Sequence, residues 1–390
     1  GHPIVGVEAD GDEVTFTQRR FRFLPDDGEA RWAVPLLVSA AGAPPQKVLL
    51  DGPSATVTIT GASRGVVVNA GGHGFYRVRY SAELLAELGA RVGDLQAVER
   101  ALLHDDTWAA VLAGETPAPA FLDLAQRFGG ETDPAVWTTL AAALGALDRI
   151  LDGEDRARFQ AWIRELAQPV AADLGWDPAS GESELRGQTR QLVLALLGNL
   201  GADPGVRSRA RDVLDRELRG EHGDPNVAAA AVSIVAGVGD GADWERYVAR
   251  FRSSESPQEQ LRYLYGLAGF DSPELAARTL AMTLEEIRSQ NAPFVIFHLL
   301  ANREVQDVAW AFVKREWERI NARFPDNTIP RLLGGIVALS RPEQAADVEA
   351  FIAAHPVPQA TKTVEQHLER LRVNVALRER DAARIAAHLR

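Results

Sequence analysis

The sixteen residues AWAFVKREWERINARF, at positions 309–324, indicate the kind of secondary structure that dominates this chain. Their large apolar side chains follow one another at steps of three and four residues: Trp310, Val313, Trp317, Ile320 and Phe324. This spacing places them in one stripe along a helix, while charged side chains occupy the remaining surface. The same periodicity recurs from Ser81 to Arg390 and predicts roughly sixteen helices separated by short breaks.

Residues 1–80 have a different periodicity, in which apolar and polar side chains alternate. Such alternation is typical of strands with one buried and one solvated face. The clearest segments are EVTFTQ (13–18), ATVTIT (55–60) and FYRVRY (75–80). Clusters of turn residues separate the segments, at 9–12, 25–28, 41–45 and 51–53. About seven short strands at this spacing predict a small antiparallel β-sandwich.

The predicted fold is mainly α with an N-terminal all-β domain. A small antiparallel β-sandwich occupies residues 1–80, and an irregular HEAT-like α-superhelix occupies residues 81–390. Many short helices in series are typical of stacked pairs that bury their apolar sides against their neighbours. No fixed period of about 40–47 residues is evident, so the predicted array is irregular. Such a stack curves, and we expect its concave surface to bind an extended ligand.

The composition excludes several classes of partner. The net charge of −12 disfavours nucleic acid and anionic lipid, because both need a concentrated basic face. No apolar run reaches the ~20 residues that cross a bilayer, so we expect no membrane partner. The absence of cysteine excludes disulfides, thiolate metal sites and cysteine nucleophiles.

Two further features concern the compartment and the source of the protein. The first residues, GHPIVGVEADGDEV (1–14), contain neither a basic region nor an apolar core. No signal peptide is therefore evident, and we expect a cytoplasmic protein. Arginine far outnumbers lysine, and alanine and glycine are abundant. This bias indicates a GC-rich genome, and we expect a bacterial source.

The segment GASRG, at 61–65, matches the G-x-S-x-G pattern of a serine hydrolase. That pattern requires the serine to lie on a sharp turn between a strand and a helix. Here a strand-like ATVTIT precedes the segment and a strand-like VVVN follows it. Glycines around Ser63 are also ordinary turn chemistry, so we expect a hairpin turn. An independent hydrolase that uses Ser63 is the least favoured alternative.

The histidines give no sign of a metal site. No two of the eight histidines have the H-E-x-x-H spacing, which places two imidazoles on one helix face. The segment HDD at 104–106 offers three ligand types, but consecutive helix residues point in different directions and cannot chelate together. His298, in APFVIFHLLAN, is expected to be a core or groove histidine. The sequence therefore predicts no metal ligand in this chain.

Three segments resemble the aminopeptidase N-type zinc aminopeptidases. NAGGHGFYRVRY (69–80) resembles the N-x-x-x-x-G-[FY]-Y-R-V-x-Y segment that closes the small β-sandwich of this family. The opening GHPIVGVEADGDEVTFTQRRF (1–21) is similar to the start of that sandwich. NREVQDVAWAFVKREWERINARF (302–324) resembles the family's N-x-x-x-x-x-x-A-W-x-F-[VL]-x-x-x-W signature. The segments follow the family order and extend over residues 1–324.

The resemblance implies that the chain is the C-terminal half of such an enzyme, consisting of its β-sandwich and helical domains. In the family, the H-E-x-x-H zinc ligands and the G-A-M-E-N segment that holds the substrate's amine lie in preceding domains. Neither motif occurs here, so the resemblance implies no cofactor in this chain, zinc in the missing catalytic domain, and no activity for the chain alone. The implied partners are that catalytic domain of the same polypeptide and peptide substrates. The concave helical domain would cover the catalytic domain and help bind and size-select peptides.

Three arginines are candidates for peptide binding. Arg186 and Arg190 lie one helical turn apart in ELRGQTRQLVLALL, and Arg331 lies at a predicted helix start. Guanidinium groups there are expected to bind the C-terminal carboxylate of a peptide, with ion pairing inside the protein as the alternative. A different class of function also stays open, in which the chain is a standalone helical-repeat scaffold for a protein partner.

Overall fold

The computed structural model describes residues 1–24, 28, 30–40, 44–254 and 256–390. Two of the predicted turn clusters, at 25–28 and 41–45, lie largely outside these residues. Seven strands precede the first helix. They are β1 (Pro3–Asp10), β2 (Glu13–Arg20), β3 (Val34–Ala40), β4 (Gln46–Leu50), β5 (Ser54–Thr58), β6 (Val66–Val68) and β7 (Arg77–Tyr80).

The strands form two sheets that share one core. The first sheet has the order β5-β2-β1-β7 and the second the order β4-β3-β6. Val5 and Phe16 of the first sheet and Leu36 and Val38 of the second are buried in the same apolar cluster. One pair differs from the predicted antiparallel pattern, because β1 and β7 run parallel. The five intervening strands connect these two, so no hairpin constrains their directions.

Seventeen α-helices follow within the described residues, and the first begins two positions after the last strand ends. They are α1 (Ala82–Ala90), α2 (Ala97–Leu112), α3 (Ala118–Gln126), α4 (Pro134–Ile150), α5 (Gly153–Leu174), α6 (Glu184–Ala195), α7 (Pro204–Leu218), α8 (Pro225–Ala236), α9 (Gly241–Ser253), α10 (Pro257–Gly266), α11 (Pro273–Glu285), α12 (Ala292–Ala301), α13 (Gln306–Arg315), α14 (Trp317–Arg323), α15 (Ile329–Leu333), α16 (Pro342–Ala354) and α17 (Thr361–His388). The predicted all-β beginning and mainly helical remainder are confirmed.

The stretch 309–324 is broken where a single helix was expected. Glu316, between α13 and α14, has the non-helical angles φ −100° and ψ 13°. Trp310 and Trp317 both pack edge-on against Phe351 of α16, with ring centroids 5.2 and 5.4 Å away. In a straight helix the two tryptophans would be separated by about 10 Å along the axis. The break therefore allows both indoles to reach the same ring.

The chain divides into two compact units. The first contains Gly1–Leu144 with Ala383–His388 and Arg390, and the second contains Gly145–Ala382 with Leu389. Within the first unit, Arg77 of β7 donates to the carboxylates of Asp105 and Asp106 on α2, both at 2.9 Å. The backbone N–H of Val78 donates to the other oxygen of Asp106. These contacts attach α2 to the sheet, and the domain division at residue 80 stays a prediction.

The second unit is a stack of helix pairs. α7 packs against α8, α9 against α10, and α12 against α13. Helices α6, α8, α10 and α12 also contact one another in order, and we call these four the inner layer. α8 (PNVAAAAVSIVA) and α12 (APFVIFHLLA) are apolar nearly all round, which suits helices covered by neighbours on several sides. Each pair thus buries its apolar surface against adjacent pairs.

A network of ion pairs joins the beginning of the second unit to its later helices. We define the ion network as three arginines and three carboxylates: Asp148, Asp152, Arg156, Arg303, Glu304 and Arg378. Arg156 donates to both oxygens of Asp148 and to Glu304. Arg303 and Arg378 donate to opposite oxygens of Asp152, at 2.7 and 3.2 Å. Residues more than 150 positions apart in sequence are therefore held together by charge.

Ser63 lies in a tight turn. It is the middle residue of a three-residue 3₁₀ turn between β5 and β6, and a strand follows where a nucleophile elbow needs a helix. Gly61 and Gly65 flank the turn with φ of 89° and 99°, a region that favours glycine. The N–H groups of Gly61 and Ser63 donate to one carboxylate oxygen of Asp12, at 3.1 and 3.3 Å. A turn is present, as predicted, but it is not a hairpin, because β5 and β6 belong to different sheets.

Substitutions of Ser63 in the turn and of Asp12, which binds the turn, should have different consequences. Ser63→Ala should leave the melting temperature and any hydrolytic activity unchanged, because the Ser63 side chain is exposed and no helix supports it as a nucleophile. Asp12→Ala should lower the melting temperature, because two turn N–H groups lose their acceptor. Differential scanning calorimetry and an ester-hydrolysis assay check these outcomes. Loss of hydrolysis in Ser63→Ala alone would contradict them.

Candidate functional site

A cleft of about 730 Å³ lies within the second unit. The inner-layer helices α8, α10 and α12 supply much of its lining, including Ser233, Tyr265 and His298. The end of α4 and the start of α5 supply Arg149 and Arg156. The volume falls in the range of small-molecule and peptide sites, roughly 300–1,000 Å³. The cleft is therefore the candidate functional site.

One wall of the cleft is shaped by a π-helical turn, Leu196–Leu200, that ends α6. Gly198 in this turn lies against Ile234 of α8, and a Cβ at this position would approach the Ile234 side chain to 2.6 Å. A π-helical turn contains an extra residue, so it changes the direction in which the following side chains point. Asn199 lies in the cleft wall and donates to Ser233 Oγ at 3.0 Å.

Arginines give the cleft its positive charge. Arg149 and Arg262 line it, and neither guanidinium forms an ion pair or hydrogen bond with another described residue, although the Asp148 charge acts on Arg149 from a greater distance. Arg207 donates its Nε to the carbonyl of Gly198 at 2.8 Å. Burial lowers the pKa of Arg149 and of Arg207, so their charges are poorly solvated. The cleft can therefore supply guanidinium groups to an anionic ligand.

The carboxylates of the cleft differ in their pairing. Asp148 is buried and bound by Arg156, so its charge is neutralised inside the protein. Asp271 has a single hydrogen bond to a described residue, from Asn302 Nδ2 to its Oδ1 at 3.3 Å. Burial raises the pKa of Asp271 to about 6, although the Asn302 hydrogen bond acts to lower it. The cleft therefore also contains one carboxylate without a cationic partner.

Within the described residues, no three histidine or carboxylate side chains lie close enough together to hold a metal ion. The residues present therefore do not fit a zinc site. His104, of the HDD segment, pairs with Thr139, and its neighbours Asp105 and Asp106 bind Arg77. His298 faces the cleft beside Tyr265, with ring centroids 5.4 Å apart. It is a groove histidine, which is one of the two environments expected from the sequence.

The three arginines predicted to bind peptide lie in different surroundings. Arg190 is fully buried, and each of its guanidinium nitrogens donates to the Glu182 carboxylate or to the carbonyls of Leu174 and Gly175. Arg186 shares Glu182 and donates to Asp173 at 2.9 Å. Arg331, on α15, lies over the ring of Phe294 at 5.8 Å. These contacts favour the alternative of ion pairing for the first two, and peptide binding by all three stays a prediction.

Sequence reasoning missed the two arginines that face the cleft without a partner. Arg262 lies in QLRYLYGLAG on an inner-layer helix, where a charged residue has to face a cavity or a counter-charge. An arginine in this apolar context could therefore have indicated a residue that faces a cleft. Arg149 follows Asp148 at the end of α4 and looks like an ordinary ion-pair partner. Its neighbouring carboxylates, Asp148 and Asp152, are bound by Arg156, Arg303 and Arg378, and two of these arginines lie more than 150 positions away in sequence, which no local pattern indicates.

The chain matches the ERAP1-like C-terminal domain family over residues 65–373, which is more than half of its length. It therefore belongs to that family. This match agrees with the fold, in which helices extend through almost all of the matched range. The resemblance to the C-terminal half of aminopeptidase N-type enzymes is confirmed.

Several aminopeptidases are similar to the chain over most of its length. Aminopeptidase M1-A of Oryza sativa subsp. japonica is 26% identical over 397 residues, and aminopeptidase M1 of Arabidopsis thaliana is 27% identical over 403 residues. These alignments cover 96% of this chain but 45% and 46% of the relatives. Glutamyl aminopeptidase of Rattus norvegicus is 26% identical over 324 residues, covering 77% of this chain and 34% of the relative. The chain thus spans less than half the length of these relatives.

These relatives come from two plants and a mammal, so they lend no support to the expected bacterial source. Membrane-spanning helices are absent from the residues that the structure describes. None of their helices combines the length and the apolar character that a span requires.

The Arg190–Glu182 pair predicts a specific dependence of stability on pH. Hydrogen bonds from Arg190 lower the pKa of Glu182 from 4.5 to about 2. A carboxyl whose pKa is depressed by folding stabilises the protein above its unfolded pKa, and this contribution is lost as the pH falls through the folded pKa. The free energy of unfolding of the wild type should therefore fall between about pH 4.5 and 2 more steeply than that of Glu182→Gln.

Urea unfolding at a series of pH values measures this effect. Glu182→Gln should already be less stable than the wild type at pH 7, because Arg190 is left buried without its counter-charge. Glu165→Gln on the exposed side of α5 is the matched control and should follow the wild type. Parallel pH profiles for Glu182→Gln and the wild type would contradict the assignment.

Proposed function

We propose that this chain is the non-catalytic C-terminal region of a zinc-dependent aminopeptidase that removes N-terminal residues from peptides. The family membership and the aminopeptidases it resembles support this proposal. The chain spans less than half of those relatives, so zinc and the catalytic groups would belong to a preceding domain of a longer, cytoplasmic polypeptide. The catalytic domain is then its main partner, and peptides are its ligands.

The cleft would bind the distal part of a peptide. The observation that carries this step is the pair of guanidinium groups, Arg149 and Arg262, that line the cleft without a carboxylate partner. A guanidinium binds a carboxylate through two parallel hydrogen bonds, and charge-assisted bonds of this kind are stronger than neutral ones. Every peptide has one terminal carboxylate regardless of its sequence. A site for that group therefore recognises the end of a peptide without restricting its composition.

Binding at the far end would also select peptides by length. A peptide that reaches from the catalytic zinc to the cleft gains the carboxylate contacts, whereas a shorter peptide does not. Interactions with a remote part of the substrate are used in this way to position the reacting end. The helical region would then act with the catalytic domain in closing over the substrate and excluding water.

Peptide binding by the isolated chain tests the role of the cleft. A fluorescently labelled peptide with a free C-terminus should bind more tightly than the same peptide as a C-terminal amide, by about tenfold or more. Arg149→Gln and Arg262→Ala should weaken the free acid toward the affinity of the amide. Arg209→Ala, an exposed arginine outside the cleft lining, is the matched control and should change neither. Equal affinities for acid and amide would contradict the carboxylate site.

The native polypeptide tests the parent enzyme. An antibody raised against this chain should detect a cytosolic protein far larger than 42.3 kDa, and the immunoprecipitated protein should release N-terminal residues from peptides. The activity should be lost on chelation and restored by zinc. A native product of 42.3 kDa without peptidase activity would instead favour a standalone helical-repeat scaffold.

A further inference from the structure

The Asp271 carboxylate lies in the cleft lining, where the side chain is exposed and has one hydrogen-bond donor. Asn302 Nδ2 donates to it at 3.3 Å, and the same amide group also donates to the carbonyls of Ala268 and Phe270 at 3.3 Å each. The amide is thus bound to the backbone that precedes α11, and it offers the carboxylate a single hydrogen bond. No described guanidinium or ammonium group forms an ion pair with Asp271. A carboxylate in a concave site without its own counter-ion can accept a ligand cation.

Two aromatic side chains line the same cleft as this carboxylate. His298 and Asn302 are four residues apart at the end of α12, which corresponds to about 6 Å along a helix axis. Tyr265 of α10 packs against His298 with ring centroids 5.4 Å apart. A tyrosine ring attracts a cation to its face, and the attraction is larger where water is partly excluded. Burial lowers the pKa of His298, so the imidazole is neutral at pH 7 and does not repel a cation.

The other charges that face Asp271 are mostly neutralised. Arg156 of α5 is bound to Asp148 and to Glu304. Glu304 itself adds negative potential around Asp271. Arg207 of α7 is the remaining cation that acts on Asp271, and its Nε donates to a backbone carbonyl. Asp271 and Glu304 therefore supply the negative charge that a cationic group of a ligand would meet, against the opposing charge of Arg207.

We propose that Asp271, Tyr265 and His298 form a cation subsite, so that the cleft prefers peptides that carry a lysine or arginine side chain in addition to the terminal carboxylate. The proposal rests on the proposed function and specifies its substrate class. Arg149 and Arg262 would bind the carboxylate that every peptide has. The cation subsite would distinguish one peptide sequence from another.

Matched peptides test the subsite on the chain itself. In a series of free-acid peptides of equal length, each peptide carries a single lysine, which moves by one position from each peptide to the next. Each peptide has a partner with norleucine in place of that lysine. Fluorescence anisotropy should show tighter binding of lysine than of norleucine at one position of the series, by about fivefold. Asp271→Asn should reduce the affinity for that lysine peptide to the level of its norleucine partner and leave the norleucine peptide unchanged. Glu274→Gln, the same loss of charge on an exposed residue of α11, should change neither affinity.

The dependence on pH gives a second measurement. Asp271 becomes neutral below its raised pKa of about 6, so the preference for lysine should disappear between pH 7.5 and pH 5. His298 can only gain a proton over this range, which would oppose a cation further. In Asp271→Asn lysine should have no advantage over norleucine at either pH value. This comparison separates loss of the carboxylate charge from a change in folding.

The outcomes separate this proposal from the proposed function. If the free-acid peptides bind with no preference for lysine at any position, the cation subsite is wrong and peptide binding by the cleft is retained. If Asp271→Asn weakens lysine and norleucine peptides equally, the residue has a structural role and the subsite is also wrong. If no peptide binds at any pH, both the peptide-binding function of the cleft and the subsite are wrong.

Discussion

The second unit depends on the carboxylates of Asp148 and Asp152, which lie where α4 ends and α5 begins. Both are bound by Arg303, which is more than 150 positions away in sequence, and the Asp148 side chain is only 4% exposed. A stack of helix pairs has contacts mainly between neighbours, so its two ends are free to move unless something joins them. The ion network provides that connection through Arg303 and Arg378. Removing one partner of a buried pair typically costs about 3–5 kcal/mol, because the other charge is left unpaired.

The network also fixes the geometry around the cleft. Burial acts to raise the pKa of Asp152, but Arg378 and Arg303 outweigh it and lower the pKa. The ion network is thus an ionised cluster with equal numbers of positive and negative charges. Arg156 and Glu304 belong to this cluster and also line the cleft. The groups that hold α5 against the segment after α12 therefore determine which charges a ligand meets.

Periodicity predicted the fold well because it reports which side chains are buried. The stacked helices and the two sheets each bury one apolar face. Alternation in β2 and the helical stripe through Trp310 and Trp317 both correspond to the buried faces found in the structure. The exceptions arise from contacts between distant residues. The break at Glu316 follows from two indoles packing on one ring of α16. The parallel pairing of β1 with β7 involves strands separated by most of the sandwich.

The candidate site was harder to predict because its chemistry depends on which arginines are left without partners. The chain has 54 acidic residues against 42 basic ones, so an arginine generally has a carboxylate available. Arg190 forms an ion pair with Glu182, eight residues away, as expected from the alternative of ion pairing. Arg149 is adjacent in sequence to Asp148 and near Asp152, yet both carboxylates are bound by Arg156, Arg303 and Arg378. The ion network that stabilises the unit therefore leaves Arg149 without an ion pair of its own, although Asp148 still favours its charge, and this gives the cleft a guanidinium that is available to a ligand.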